Sequence, residues 1–141
     1  MVSVSCSKKT TFDPNKVDSF VFGSAYGMCA GDCAKFFAIA NQQLFPDTMA
    51  YYTGFTGFSS THLPDAKYQL AKQLVDEFPT YFINHPNTTF GCPDCADQGG
   101  IYIELKENGR VKKWSIDTDV SKQPAETKDY IAKLRTVLRQ L

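Results

Sequence analysis

The dipeptide Asn108-Gly109 constrains this chain more than any other feature. It suits a two-residue hairpin turn, in which both positions take positive φ. Folding the chain about it sets Ile103 opposite Trp114 and Ile101 opposite Ile116, with Leu105 on the same apolar face. The other face carries Tyr102, Glu104, Lys106, Val111, Lys113 and Ser115 and reads as mostly wet. Glu104 falls opposite Lys113, a cross-strand ion pair worth under about 1 kcal/mol. A hairpin with one dry face needs a covering layer.

Two amphipathic segments supply it. Pro64 and Asp65 suit a helix start. Ala66, Leu70, Ala71, Leu74, Val75 and Phe78 then share one face, Lys67, Lys72, Gln73 and Glu77 point outward, and Pro79 stops the helix. A second helix begins at Pro124 or Ala125, with Tyr130, Ile131, Leu134, Val137, Leu138 and Leu141 as its apolar stripe. Lys128, Lys133, Arg135 and Arg139 lie outside it, and the basic last turn suits the helix dipole. Earlier in the chain, Phe20-Val21-Phe22 reads as a short strand stopped by Gly23. Residues 34–44 read as a second strand ended by Pro46-Asp47, and residues 49–55 as a third. The expected fold is α+β: an antiparallel sheet of about five strands with two helices packed on one face, in the order βββαββα. Residues 12–141 form a single globular domain, and residues 1–11 a tether or signal remnant.

Charge removes some partners. Fifteen Lys and Arg balance fifteen Asp and Glu, so no net field attracts nucleic acid or steers an anionic substrate. No apolar run approaches the roughly 18 residues of a membrane span.

The five cysteines carry most of the chemistry. Cys29-Ala30-Gly31-Asp32-Cys33 and Cys92-Pro93-Asp94-Cys95 are close pairs in glycine-bounded loops, each leading into a strand. Three chemistries fit. Two disulfides are favoured, because an exported protein oxidises by default and Cys6 then stands apart from four paired cysteines. Local pairing closes tiny loops, whereas crossed pairing closes loops of about 60 residues worth roughly 4 kcal/mol each. The separate turns tilt the choice slightly toward local pairing. A zinc site with four cysteine ligands is the alternative, although 58 residues part Cys33 from Cys92, far more than a compact zinc ribbon has. Thiol-disulfide redox work by Cys92 and Cys95 ranks third, because the pair leads into Gly-Gly and a strand rather than a helix. Asp94 and Asp97 would also raise a thiol pKa there. No cofactor is expected, with zinc as the alternative.

Two resemblances bear on compartment. Val2 to Cys6 resembles the tail of a bacterial lipoprotein signal, with a serine directly before Cys6 and Ser7-Lys8-Lys9 as a polar tether. Only the tail of such a signal is represented; it makes Cys6 the expected lipid attachment. The run from Phe20 to Cys33, with Gly27, Cys29, Gly31 and Cys33, resembles the opening of a bacterial family of unknown function. That family has a Gly-x-Cys-x-Gly-x-Cys turn between its first two strands. The likeness covers residues 20–44, and Ala34 stands where the family usually has proline. Its members are small envelope or secreted proteins, so the resemblance implies a compartment and no activity.

No catalytic constellation is evident. His62 and His85 are the two histidines, and no protease-type zinc motif, nucleophile elbow, phosphate loop or dinucleotide fingerprint occurs. Asp13, Asp18, Asp32, Asp47, Asp94 and Asp97 read as turn residues accepting backbone hydrogen bonds. The stretch holding Tyr51, Tyr52, Phe55 and Phe58 is the candidate binding surface, a stacking platform for a sugar or peptide; the plainer reading is a loop pinned by buried aromatics. The expectation is an exported envelope lipoprotein, periplasmic or on the surface, with a binding or structural role. Its partner would be a ligand or an envelope protein, and membrane contact would come only through a lipid on Cys6.

Overall fold

The structure, a computed structural model, describes residues 12–55 and 57–141. Among these, six strands are β1 Val17–Ala25, β2 Ala34–Ala40, β3 Gln43–Pro46, β4 Thr88–Phe90, β5 Gly100–Glu107 and β6 Arg110–Asp117. Three α-helices are α1 Asp65–Asp76, α2 Thr80–Asn84 and α3 Lys128–Gln140. The strands make one sheet in the order β3-β2-β1-β5-β6-β4. The α+β class is as expected, while the element order becomes βββααβββα.

The hairpin forms in the expected register, with Ile103 paired to Trp114, Ile101 to Ile116 and Glu104 to Lys113. Asn108 and Gly109 take φ of 50° and 74°, as the turn requires. Strand β1 pairs antiparallel with both β5 and β2, and so lies in the middle of the sheet.

Four expectations need correction. Residues 34–44 are two strands, because Asn41 and Gln42 turn the chain with φ of 50° and 60° between β2 and β3. Residues 49–55 form no strand; their rings pack on the sheet instead of extending its ladder. The first strand is longer than Phe20 to Phe22, since Gly23 continues β1 and gives the Phe36 ring room to lie over it. The sheet has six strands, the last joined in parallel, β4 to β6, and a third helix, α2, follows Pro79.

The three helices cover one face. Phe20 and Phe22 of β1 and Phe37 and Ile39 of β2 point into it with Ile101, Ile103, Leu105, Trp114 and Ile116 of the hairpin. Tyr68, Ala71, Leu74 and Val75 of α1 and Tyr130, Ile131, Leu134, Val137 and Leu138 of α3 meet them. Each such large side chain contributes about 1.5–3 kcal/mol by leaving water. Phe78, Phe82, Trp114 and Tyr130 pack ring against ring at centroid distances of 5.3–6.1 Å. The buried Tyr130 hydroxyl donates to the Leu74 carbonyl at 2.7 Å. That carbonyl lies in the last turn of α1, where helical partners run out; the Phe78 N–H goes to Val75 instead, at 3.2 Å.

The opposite face has its own smaller core. Val21, Ala25, Ala34, Phe36 and Ala38 are buried there beneath Phe45, Met49, Tyr52, Phe55 and Phe58. Asp47 fixes the start of the covering loop, its carboxylate accepting from the Phe36 N–H at 2.5 Å and the Met49 N–H at 2.9 Å. Further along, the loop closes the outer edge of β3: Ser59 N–H donates to Pro46 at 2.9 Å and Leu63 N–H to Leu44 at 2.7 Å.

Candidate functional site

One end of the sheet gathers both cysteine loops. The end of β1, the starts of β2 and β5 and the end of β6 all lie there, as their pairing requires. The β1–β2 loop is closed by a Cys29–Cys33 disulfide with Cα atoms 5.8 Å apart. The loop before β5 is closed by a Cys92–Cys95 disulfide with Cα atoms 5.5 Å apart. Pairing is therefore local. The zinc alternative finds no ligands in these four residues in this state, because a disulfide sulfur is not a thiolate. Among the described residues no group of three or more His, Cys, Asp and Glu is placed to hold a metal ion. Cys6 lies outside the described residues.

Asp94 joins the two loops. Its Oδ2 accepts from the Gly27 N–H at 2.6 Å, and its Oδ1 from the Gly99 N–H at 3.0 Å. Gly99 has φ of +79°, and a Cβ on it would strike the Tyr26 ring at 2.6 Å. Tyr26 is held in turn by its N–H to the Cys33 carbonyl, 2.9 Å. Cys33 is buried and donates its own N–H to Ala50 at 2.9 Å, which ties in the aromatic loop.

Asp117, buried at the end of β6, anchors the second loop from below. It accepts from the Cys92 N–H at 2.8 Å and the Asp119 N–H at 2.9 Å, with the Gln98 amide 3.4 Å away. The donated N–H groups of Asp119 and Cys92, helped by Gln98 and Lys122, hold its carboxyl below the usual carboxylate range. Cys92 and Cys95 are solvent-exposed, yet Asp94 and Asp117 place negative charge around them, and β5 rather than a helix follows. Neither feature supplies the positive charge that reactive cysteine pairs are placed against.

Above Tyr26 the same end opens into a cleft of about 290 Å³ between β1, β2, β5 and the last turns of α3. Lys35, Arg135 and Arg139 line it with Ser24, Thr118, Tyr26, Ile101 and Leu138. On the sequence Arg135 and Arg139 are the basic end of a helix, and neither Lys35 nor Asp117 stands out. Only the fold brings Lys35 to them.

The expected aromatic surface divides. Tyr52 lies against Phe36 at 5.1 Å and Tyr102 at 4.6 Å, with the Phe55 ring edge-on at 5.8 Å. Burial, then the neighbouring Tyr102 and Glu104, push the Tyr52 hydroxyl up to about 12. The Lys113 ammonium sits 5.3 Å from the Phe55 ring centre, and Phe58 packs on the same small core. Tyr51 alone of the four is 56% exposed. Four of the other candidates are engaged with neighbouring groups. His85 stacks on Tyr81 at 4.2 Å, His62 lies edge-on to Phe45, and Asp13 and Asp18 accept backbone N–H groups of Asn15 and Gly109. No family model matches the chain, and no curated protein matches it, so the functional reading rests on the geometry.

Proposed function

We propose that this chain is an exported binding domain of the cell envelope, tethered through a lipid on Cys6, whose two disulfides hold a contact rim at one end of the sheet. The observation that carries the reading is the closure of both cysteine pairs on themselves, the state an oxidising compartment maintains. Asp94 across the two loops, Asp117 beneath the second and the Cys33–Ala50 hydrogen bond support the idea of a fixed rim. A rim ordered before binding loses less conformational freedom when a partner arrives. Tyr51, next to Ala50, belongs to it.

The test is an intact mass of the protein exported by its host and alkylated in denaturant with chelator and without reductant. One added alkyl group on unlipidated protein, or none on lipidated protein, is expected. Addition at four or five cysteines would overturn the reading and bring zinc back as the alternative.

A further inference from the structure

The cleft over Tyr26 carries three cations and no carboxylate. Its lining includes Lys35, Arg135 and Arg139, and none of Asp or Glu. The chain as a whole is neutral, so this is a local surplus rather than a general one. Among the described residues none of the three cations forms an ion pair, although Asp94 and Asp117 lie at the same end of the sheet. The ion pairs among the described residues are Lys72–Asp76, Lys113–Glu104 and Lys133–Glu77, and residues 1–11 and Thr56 contain no acidic side chain.

Helix capping accounts for part of this arrangement. Arg135 and Arg139 sit in the last turns of α3, where cations suit the helix dipole. Lys35 also donates its ammonium to the Leu138 carbonyl at 2.6 Å. Capping does not require a strand lysine 103 positions away to join two arginines already spaced i,i+4, since each added like charge repels the others. Nor does it explain the shape of the place: hydroxyls of Ser24 and Thr118 beside the cations, and an apolar wall of Tyr26, Ile101 and Leu138.

We propose that this cleft binds a small phosphate group, either free phosphate or a phosphate monoester. A dianion answers three cations better than a single carboxylate does. Guanidinium forks match phosphate oxygens in bidentate fashion, and the lysine adds a point charge already held in place. The volume of about 290 Å³ lies at the bottom of the range for small-molecule sites and has ample room for a phosphate group. The proposal rests on the binding-rim reading in one respect: Tyr26, one wall, is positioned by the Cys29–Cys33 loop and by Gly99.

The experiment is a calorimetric and NMR titration of the full chain, as exported by its host, with inorganic phosphate at low ionic strength, and with acetate at matched ionic strength. Parallel arms use glycerol 3-phosphate and phosphatidylcholine vesicles containing phosphatidic acid. Saturable 1:1 phosphate binding is expected, with shifts at Tyr26, Lys35 and Gly100 and affinity well above that for acetate. The double variant Arg135→Ala/Arg139→Ala should lose at least tenfold in affinity with unchanged circular dichroism. Lys106→Ala, the same kind of charge loss at the far end of β5, should bind as the parent does. Tighter binding to vesicles than to the soluble esters assigns the site to a lipid headgroup; the reverse assigns it to a free phosphate compound. No saturable binding in any arm, or equal loss in Lys106→Ala, overturns the proposal. The alkylation mass is read on the same sample. Paired cysteines without phosphate binding refute the site alone, and free thiols with phosphate binding refute the exported reading alone.

Discussion

Removing the Cys92–Cys95 disulfide measures how the cysteines are paired in solution. Both sulfurs belong to exposed residues, so Cys92→Ala/Cys95→Ala deletes a cross-link with little loss of packing. The cysteines are three positions apart, and the chain-entropy relation gives about 2 kcal/mol for so short a loop. A first crossed bridge would close a loop of about 60 residues worth roughly 4 kcal/mol, a second would then close about eight residues for about 2.5 kcal/mol more, and the double variant would remove both, about 6–7 kcal/mol together. The two arrangements therefore differ about threefold in cost. The assay is urea unfolding of oxidised parent and variant, followed by circular dichroism and tryptophan fluorescence. The expected loss is about 2 kcal/mol with an unchanged m-value, because a four-residue loop hardly alters the dimensions of the unfolded chain. In a thermal scan this corresponds to roughly 6–10 °C. A loss of about 6 kcal/mol or more, accompanied by a rise in m, would refute local pairing.

Three further outcomes follow from the packing. Tyr130→Phe leaves the Leu74 carbonyl buried without its donor and should cost about 1–3 kcal/mol in the same unfolding assay. Gly23→Ala drives a methyl group into the Phe36 ring and the Lys35 carbonyl and should lower stability by about 3 kcal/mol, seen as a fall in Tm. Asp117 binds its proton less readily in the folded chain than in the unfolded one. Its contribution is thus complete above the ordinary carboxylate range and drains away as pH falls through and below it. Asp117→Asn should flatten the stability–pH curve on that acid side and leave its slope above neutral pH unchanged.

Local chemistry was legible in the sequence and distant juxtaposition was not. Asn108-Gly109 fixes a turn by its own backbone preferences, so the hairpin register followed from it directly. Pro64 and Pro79 bracket α1 for the same reason. Asn41-Gln42 contains no glycine, and β2 is buried on both faces, with Phe36 toward one core and Phe37 toward the other. The run 34–44 therefore shows neither a turn marker nor an alternation, and it looks continuous. Helix α2 has five residues, too few for a helical period to declare itself. Residues 49–55 have strand-like composition because their rings serve a core, whatever their backbone does. At the candidate site the cysteine pairs were visible as pairs. Asp94 as a bridge and the meeting of Lys35 with Arg135 and Arg139 depend on sequence separations of 67 and about 100 residues, which only the sheet order resolves.

The two margins of the sheet limit how any partner can approach. On one side β3 has four residues, ends in Pro46, and spends the carbonyls of Leu44 and Pro46 on the chain's own residues 59 and 63. On the other, β4 is three residues long. Among the described residues both outermost strands are short, which leaves little template for the barrel-like growth and edge-to-edge stacking that threaten open sheets. Recognition by strand addition has little to build on for the same reason. Side chains at an end or a face of the sheet offer a partner more to hold.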